Sequence, residues 1–268
     1  RELECLATCD TLGRSYCPYG TEPYLRGQQV LGEDFDNVPP GATMLQSLRS
    51  VGYSLPTAIA DIVDNSIAAH AKTVHLEFEW NGDRSSIAIL DDGDGMAEGE
   101  LREAMRPASR NPLEVRDASD LGRFGLGLKT ASFSQCRELC VISKRRGGSL
   151  AVRTWDLDYV AETNEWRLLK SLTASAGKYA KRLENLESGT AVVWGKLDRV
   201  VLEGIGPNDA VGQTHFNAQI EEVDQHLGLT FHRFIESRQL GLTISGSPVK
   251  AWNPFAGNEL QVIPTPVE

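Results

Sequence analysis

Along residues 58–71, AIADIVDNSIAAHA, apolar side chains recur at Ile59, Ile62, Val63 and Ile67, the three- and four-residue steps that form one stripe on a helix. The opposite side holds Asp61 and Asn65 one turn apart, with Asp64 beside them. Pro56 suits the first turn, and Ser54 or Thr57 can cap it. A helix is also expected just before, from about 42 to 51. The period then changes. TVHLEFEW (73–80) alternates as a strand, and SSIAILDD (85–92) is a second, apolar on both faces towards its end. A short helix is expected near 98–106, a polar stretch to about 121, and then a helix opened by glycines in GLGLKTASFSQC (125–136).

Three further strands are expected in ELCVISKRR, SLAVRTWDL and GTAVVWGKL. Residues 216–236 carry Phe216, Ile220, Val223, Leu227, Phe231 and Phe234 at helical spacing, and LGLTISGSPV (240–249) begins a hairpin. No repeat or low-complexity tract interrupts the pattern. This irregular alternation of strands and helices predicts an α/β two-layer sandwich, a sheet with helices on one face. Residues 1–40 are irregular, rich in Gly, Pro and acidic residues, and end in DNVPPGA; they read as an extension or linker.

Composition narrows the picture. The 268 residues can bury a sizeable core without disulfides or metals, and 41% hydrophobic with 24% charged is ordinary for a water-soluble globular chain. No apolar run approaches the roughly 18 residues that a membrane span needs, so no membrane association is expected. The opening RELECLATCD lacks a basic end followed by an apolar core, so no signal peptide is expected, and a start without Met reads as a fragment of a longer chain. A cytoplasmic location with free thiols is therefore expected for its five Cys. Cys5, Cys9 and Cys17 have no suitably spaced fourth zinc ligand nearby, and Cys136 and Cys140 read as buried thiols. The five His form no HExxH or paired-ligand pattern. A net charge of −10 repels phosphate backbones, so any contact with DNA is expected through other regions.

Two further stretches carry chemistry. In ILDDGDGMA (89–97) a strand ends in Asp91-Asp92, and Gly93 and Gly95 let the backbone turn sharply. An acidic turn accounts for this, and so does a buried Asp that accepts a hydrogen bond from an exocyclic amine. In LGRFGLGLKTASF (121–133), Gly122, Gly125 and Gly127 precede a helix with Lys129 in its first turns, an arrangement that favours an anion. The spacing is neither a P-loop nor a strand–GxGxxG–helix unit.

Taken in order, DIVDNSIAAHA, DDGDGM, GRFGLGLKTASF and SGTAVVW resemble the N box, the two glycine boxes and the late-strand Thr of the GHKL ATPases, over about residues 42–200. That superfamily includes gyrase B, MutL, MORC proteins, the ninety-kilodalton heat-shock chaperone and histidine kinases. The resemblance implies a Bergerat fold with a mixed, mostly antiparallel sheet, the ATP-binding domain spanning 41–214. Residues 215–268 would then be a connecting helix and the start of a second, transducer-like domain. It implies ATP and Mg²⁺ as cofactors, with Asn65 on the metal, Asp91 accepting from adenine N6 with Thr190 nearby, and Gly93, Gly95 and Met96 against the base. Gly122, Arg123, Phe124, Gly125, Leu126, Gly127, Leu128 and Lys129 would hold the phosphates. Residues 97–121 would form a lid whose Arg102, Arg106, Arg110 and Arg116, with Arg123 just beyond, balance the triphosphate.

Two departures matter. The family's general base is a Glu four residues before the Asn; here that position is Asp61, shorter in reach by roughly 1.5 Å. Its usual Asp three residues after the Asn is Ala68. The function implied is slow ATP hydrolysis, with ATP or ADP gating homodimerisation of a larger protein. A MORC-like or MutL-like relative is favoured, FGLGLKTASF looking closest to the MORC pattern. A catalytically inactive nucleotide sensor and a histidine-kinase-like domain are the alternatives.

Overall fold

Period-two burial decides which way each strand faces. In the computed structural model, which describes residues 8–9, 15–16, 41, 44, 48–50, 52–107 and 127–255, Ile87 and Ile89 point to one side of their strand and Ala88 and Leu90 to the other. The N-terminal unit, Arg1–Pro40, has β1 (Thr8–Cys9) paired antiparallel with β2 (Ser15–Tyr16). In the second unit, Gly41–Glu268, a 3-10 turn at Leu48–Ser50 precedes α1 (Leu55–Ala68), whose cap Ser54 accepts from the Thr57 N–H and whose second residue is Pro56. Then come β3 (Thr73–Glu79), β4 (Ser86–Asp91), α2 (Glu98–Met105) and α3 (Gly127–Phe133). After these follow β5 (Glu138–Lys144), β6 (Leu150–Asp156), α4 (Leu157–Thr163), α5 (Gly177–Glu184) and β7 (Gly189–Gly195). The described chain closes with α6 (Ala210–Thr230), α7 (His232–Glu236), β8 (Gly241–Ile244) and β9 (Ser247–Pro248).

The last seven strands form one sheet in the order β6-β5-β7-β4-β3-β8-β9. All neighbours pair antiparallel except β3 with β8, so the sheet is mixed and mostly antiparallel. On one face Ile87, Ile89, Leu139, Val141, Val192 and Trp194 pack in a single core with Ile59, Ile62 and Val63 of α1, Phe133 of α3 and Phe216 of α6. Sequence patterning placed helices on this face alone. The opposite face carries one too: Tyr179, Ala180 and Leu183 of α5 cover Ala88, Leu90, Cys140, Ile142, Ala191 and Val193. That cover is why β4 and β7 are buried along their whole length and read as continuous apolar runs.

The helix expected over 216–236 is divided at Phe231 into α6 and α7, and the sequence pattern does not announce α4 and α5. The segment beyond 214, expected to lead into a second domain, packs here onto the first: α6 lies against α1, and β8 extends the main sheet beside β3. Of the helix expected over 42–51, the described part is a short 3-10 turn at Leu48–Ser50 with Met44 helical before it. Cys136 and Cys140 are free, buried thiols, whereas Cys5 and Cys17 lie outside the described residues.

Candidate functional site

Polar side chains that interrupt apolar patterns build the site. Ser66 occupies the buried stripe of α1, one turn beyond Ile62, and its hydroxyl donates to Asp91 Oδ2 at 3.0 Å. Asp91 ends β4, 6% exposed, and its Oδ1 accepts from the backbone N–H groups of Gly93 (2.9 Å) and Thr190 (3.2 Å). Burial pushes the Asp91 carboxyl up to about 6, aided by the neighbouring Asp92 charge and opposed by the bonds from Gly93, Ser66 and Thr190.

Asp92 behaves in the opposite way. It accepts from the Lys72 and Thr73 N–H groups and from Thr73 Oγ1 at 2.7–2.8 Å. Burial alone would raise its carboxyl, but these bonds hold it below the usual range. The acidic-turn reading therefore describes Asp92, while Asp91 keeps a partly satisfied Oδ2.

Sheet register supplies the next groups. Thr190 on β7 lies directly opposite Asp91, and Ser143 on β5 directly opposite Thr190, in one row beneath α1. Their hydroxyls are 2.8 Å apart, and Ser143 Oγ also accepts from Met96 N–H at 2.8 Å. Gly95 has φ +65, and a Cβ there would lie 1.9 Å from the Lys144 carbonyl oxygen, so only glycine lets the chain pass β5 and bring Met96 to Ser143. Gly95→Ala is expected to destabilise the fold by more than about 1 kcal/mol, visible as a lower melting temperature; an unchanged melt would show that this loop is not clamped.

Two turns of α1 carry the remaining polar groups. Tyr53 Oη donates to Asp61 Oδ2 at 2.7 Å, and Gln135 Nε2 donates to the Tyr53 carbonyl at 3.1 Å. Burial, with the Asp61 carboxylate, raises the Tyr53 hydroxyl, and burial with Asp61 also raises the Asp64 carboxyl. Asn65 is exposed, one turn beyond Asp61 on the same helix.

Lys129, expected among the phosphate-holding residues, is 1% exposed, and its Nζ donates to the Ala104 carbonyl at 2.7 Å. A carbonyl in the last turn of α2 is a favourable place for a cation, and the bond ties α3 to α2. Gly127 and Leu128 begin α3, half-buried. Gly122, Arg123, Phe124, Gly125 and Leu126 lie outside the described residues, as do Arg110 and Arg116. Arg102 and Arg106 are exposed on and just after α2, each within 3.7 Å of Glu103.

The structure thus gathers Asp91, Gly93, Gly95, Met96 and Thr190 at one end of α1, with Asp61 and Asn65 on the same helix. Sequence reasoning missed Ser66, Ser143 and Tyr53. The first two carry a signal in hindsight, each being a lone hydroxyl inside an apolar stripe or strand.

The model of the family described as Histidine kinase-, DNA gyrase B-, and HSP90-like ATPase matches residues 53–190, over half of the chain. The chain is similar to ATPase morc-1 of Caenorhabditis elegans, 29% identical over 119 residues, which are 43% of this chain and 14% of that protein. It is also similar to DNA mismatch repair protein MutL of Clostridium acetobutylicum, 25% identical over 139 residues, 50% of this chain and 21% of that protein. The match therefore spans about a fifth or less of either relative's length.

Proposed function

Because the chain belongs to the histidine kinase-, DNA gyrase B- and HSP90-like ATPase family, we propose that it binds ATP with Mg²⁺ and hydrolyses it slowly. The observation that carries this reading is the buried Asp91 carboxylate, whose Oδ1 is filled by two backbone N–H groups while Oδ2 takes only the Ser66 hydroxyl. An adenine N6 amine is the complement of that oxygen, with Thr190 beside it and Gly93, Gly95 and Met96 against the base. Asp61, held by Tyr53, serves as the general base for water. Gly122, Arg123, Phe124, Gly125, Leu126, Gly127, Leu128 and Lys129 hold the phosphates, Lys129 acting through its bond to the Ala104 carbonyl of α2.

Asn65 is the metal contact. Among the described residues no cluster of three or more His, Cys, Asp or Glu could hold an ion. That fits Mg²⁺, which keeps several waters and needs one or two protein oxygens plus substrate phosphates. When bound, the ion offsets phosphate charge; the chain's part is to aim the Asn65 carboxamide and to exclude water around Asp91. Asn65→Ala is expected to lose the Mg²⁺-dependent part of ATP affinity and to leave affinity in chelator unchanged. Calorimetric titration with and without Mg²⁺ checks this, and equal losses in both would move Asn65 off the metal.

By analogy with the family, nucleotide state gates homodimerisation of a longer protein, with action on DNA through other regions; the free thiols Cys136 and Cys140 favour a cytoplasmic location. The segment from 215 onwards then links this unit to a transducer-like domain. Sedimentation of the longer protein should show dimer with ATP and monomer with ADP. A nucleotide sensor without turnover is the second reading, favoured by Asp61 and Ala68 at positions where the family has Glu and Asp. Nucleotide titration and steady-state phosphate release test both: binding with slow release supports the ATPase, binding without release supports the sensor, and no binding of ATP or ADP at millimolar concentration overturns both.

A further inference from the structure

Two rows of the sheet beneath α1 are apolar across three strands: Leu139, Trp194 and Ile87 lie side by side, and then Val141, Val192 and Ile89. The next row on that face is polar across the same strands, with Ser143 beside Thr190 beside Asp91. The base contact described above uses Asp91 and Thr190 and leaves Ser143 without a part. Ser143 is 0% exposed, behind the other two, and a Val in its place would continue the apolar run of β5. A buried hydroxyl costs stability unless it is bonded, and this one has three polar groups around it. Its Oγ accepts from the Met96 N–H at 2.8 Å, lies 2.8 Å from Thr190 Oγ1 and stands 3.2 Å from the Gly189 carbonyl oxygen.

These bonds form a chain that ends at the base pocket. The Met96 backbone N–H, brought to β5 by Gly95, takes one lone pair of Ser143 Oγ and so orients the serine. Ser143 then has one proton to give, to the Gly189 carbonyl or to Thr190. With either choice its oxygen stays at hydrogen-bond distance from Thr190 Oγ1, and among the described residues Ser143 is the partner of that hydroxyl. Thr190 gives its backbone N–H to Asp91 Oδ1, so its main chain is fixed by Asp91 and its side-chain rotamer by Ser143. We infer that Ser143 is a positioning residue for the nucleobase, acting from behind the pocket by holding the Thr190 hydroxyl in place beside Asp91. The inference rests on the nucleotide reading given above. A serine that only fastened the glycine loop to the sheet would affect stability, and its effect on affinity would not depend on the Thr190 hydroxyl.

The test is a double-mutant cycle on the whole chain, read as ATP and ADP affinity by calorimetric titration, with melting curves to follow folding separately. Ser143→Ala and Thr190→Val each delete one hydroxyl and keep the Thr190 N–H bond to Asp91. Each is expected to weaken both nucleotides about fivefold, the value of one neutral hydrogen bond. Together they should also lose only about fivefold, because without its hydroxyl Thr190 leaves Ser143 nothing to hold; independent effects would multiply to about 25-fold. Ser143→Cys fills the same space with a weak hydrogen-bonding group, and it should repeat the pattern even if the Ala variant does not fold. Parental affinity in the Ser143 variants, or multiplied losses in the double variants, would overturn the inference while nucleotide binding by the parent stands. A parent chain that binds neither nucleotide at millimolar concentration overturns the nucleotide reading and this inference with it.

Discussion

Asp61→Asn is expected to leave ATP affinity within about twofold while turnover falls roughly 10²–10⁴-fold, the range for loss of a general base. The local geometry makes this a clean substitution. Asp61 is half-buried on α1 and its Oδ2 accepts from Tyr53 Oη at 2.7 Å. An Asn oxygen accepts the same bond, so the helix and Tyr53 stay in place, while the amide cannot take a proton from water. Phosphate release under saturating ATP, together with a binding titration, checks the pair of expectations. Parental turnover in Asp61→Asn would remove the residue from the base role. Loss of binding and turnover together would make it a structural residue instead.

Asp91→Asn should move affinity and stability in opposite directions. An Asn that keeps its Oδ1 towards the Gly93 and Thr190 N–H groups must put its NH₂ where Oδ2 now lies. A donor there meets the donor of an adenine amine, so ATP and ADP should both weaken by about 1.5–3 kcal/mol, the value of a charge-assisted bond. The stability change follows from burial. The carboxyl ionises near 6 in the folded chain against 3.8 in the open one, so the fold holds the proton more tightly. This contribution to stability is full below pH 3.8, is lost as pH rises through about 6, and leaves the ionised form about 3 kcal/mol worse off at pH 8. The substituted carboxamide carries no such burden, and its NH₂ can donate to Ser66 Oγ. The ligand-free variant should therefore be more stable than the parent at pH 8, with the gap closing towards pH 4. Denaturant melts across that range read the gap directly; a parent that gains stability as pH rises from 4 to 8 relative to the variant would show that Asp91 is not held protonated by burial.

What the chain determines by itself is local. The stripe Ile59, Ile62, Val63 predicts α1 and its buried side, and the start at Ser54 and Pro56 matches the observed cap. Alternation predicts β3, and the apolar runs predict β4 to β7, because each pattern is set by side chains a few residues apart. Asp91, Gly95 and Thr190 were singled out by the resemblance of DDGDGM and SGTAVVW to family motifs, whereas the residues alone left an acidic turn equally open. Tertiary structure decided the rest. GKYAKRLE carries too short an apolar stripe to announce a helix, and α5 forms where Ala88, Leu90, Cys140, Ile142, Ala191 and Val193 need cover. Strand order put Thr190 opposite Asp91 and Ser143 opposite Thr190, residues up to 99 positions apart in the chain. Whether Asp91 or Asp92 is the buried carboxylate could not be told from two identical side chains in sequence. Successive residues of a strand face opposite ways, and only packing beneath α1 chose Asp91 for Ser66 and left Asp92 to clamp Thr73.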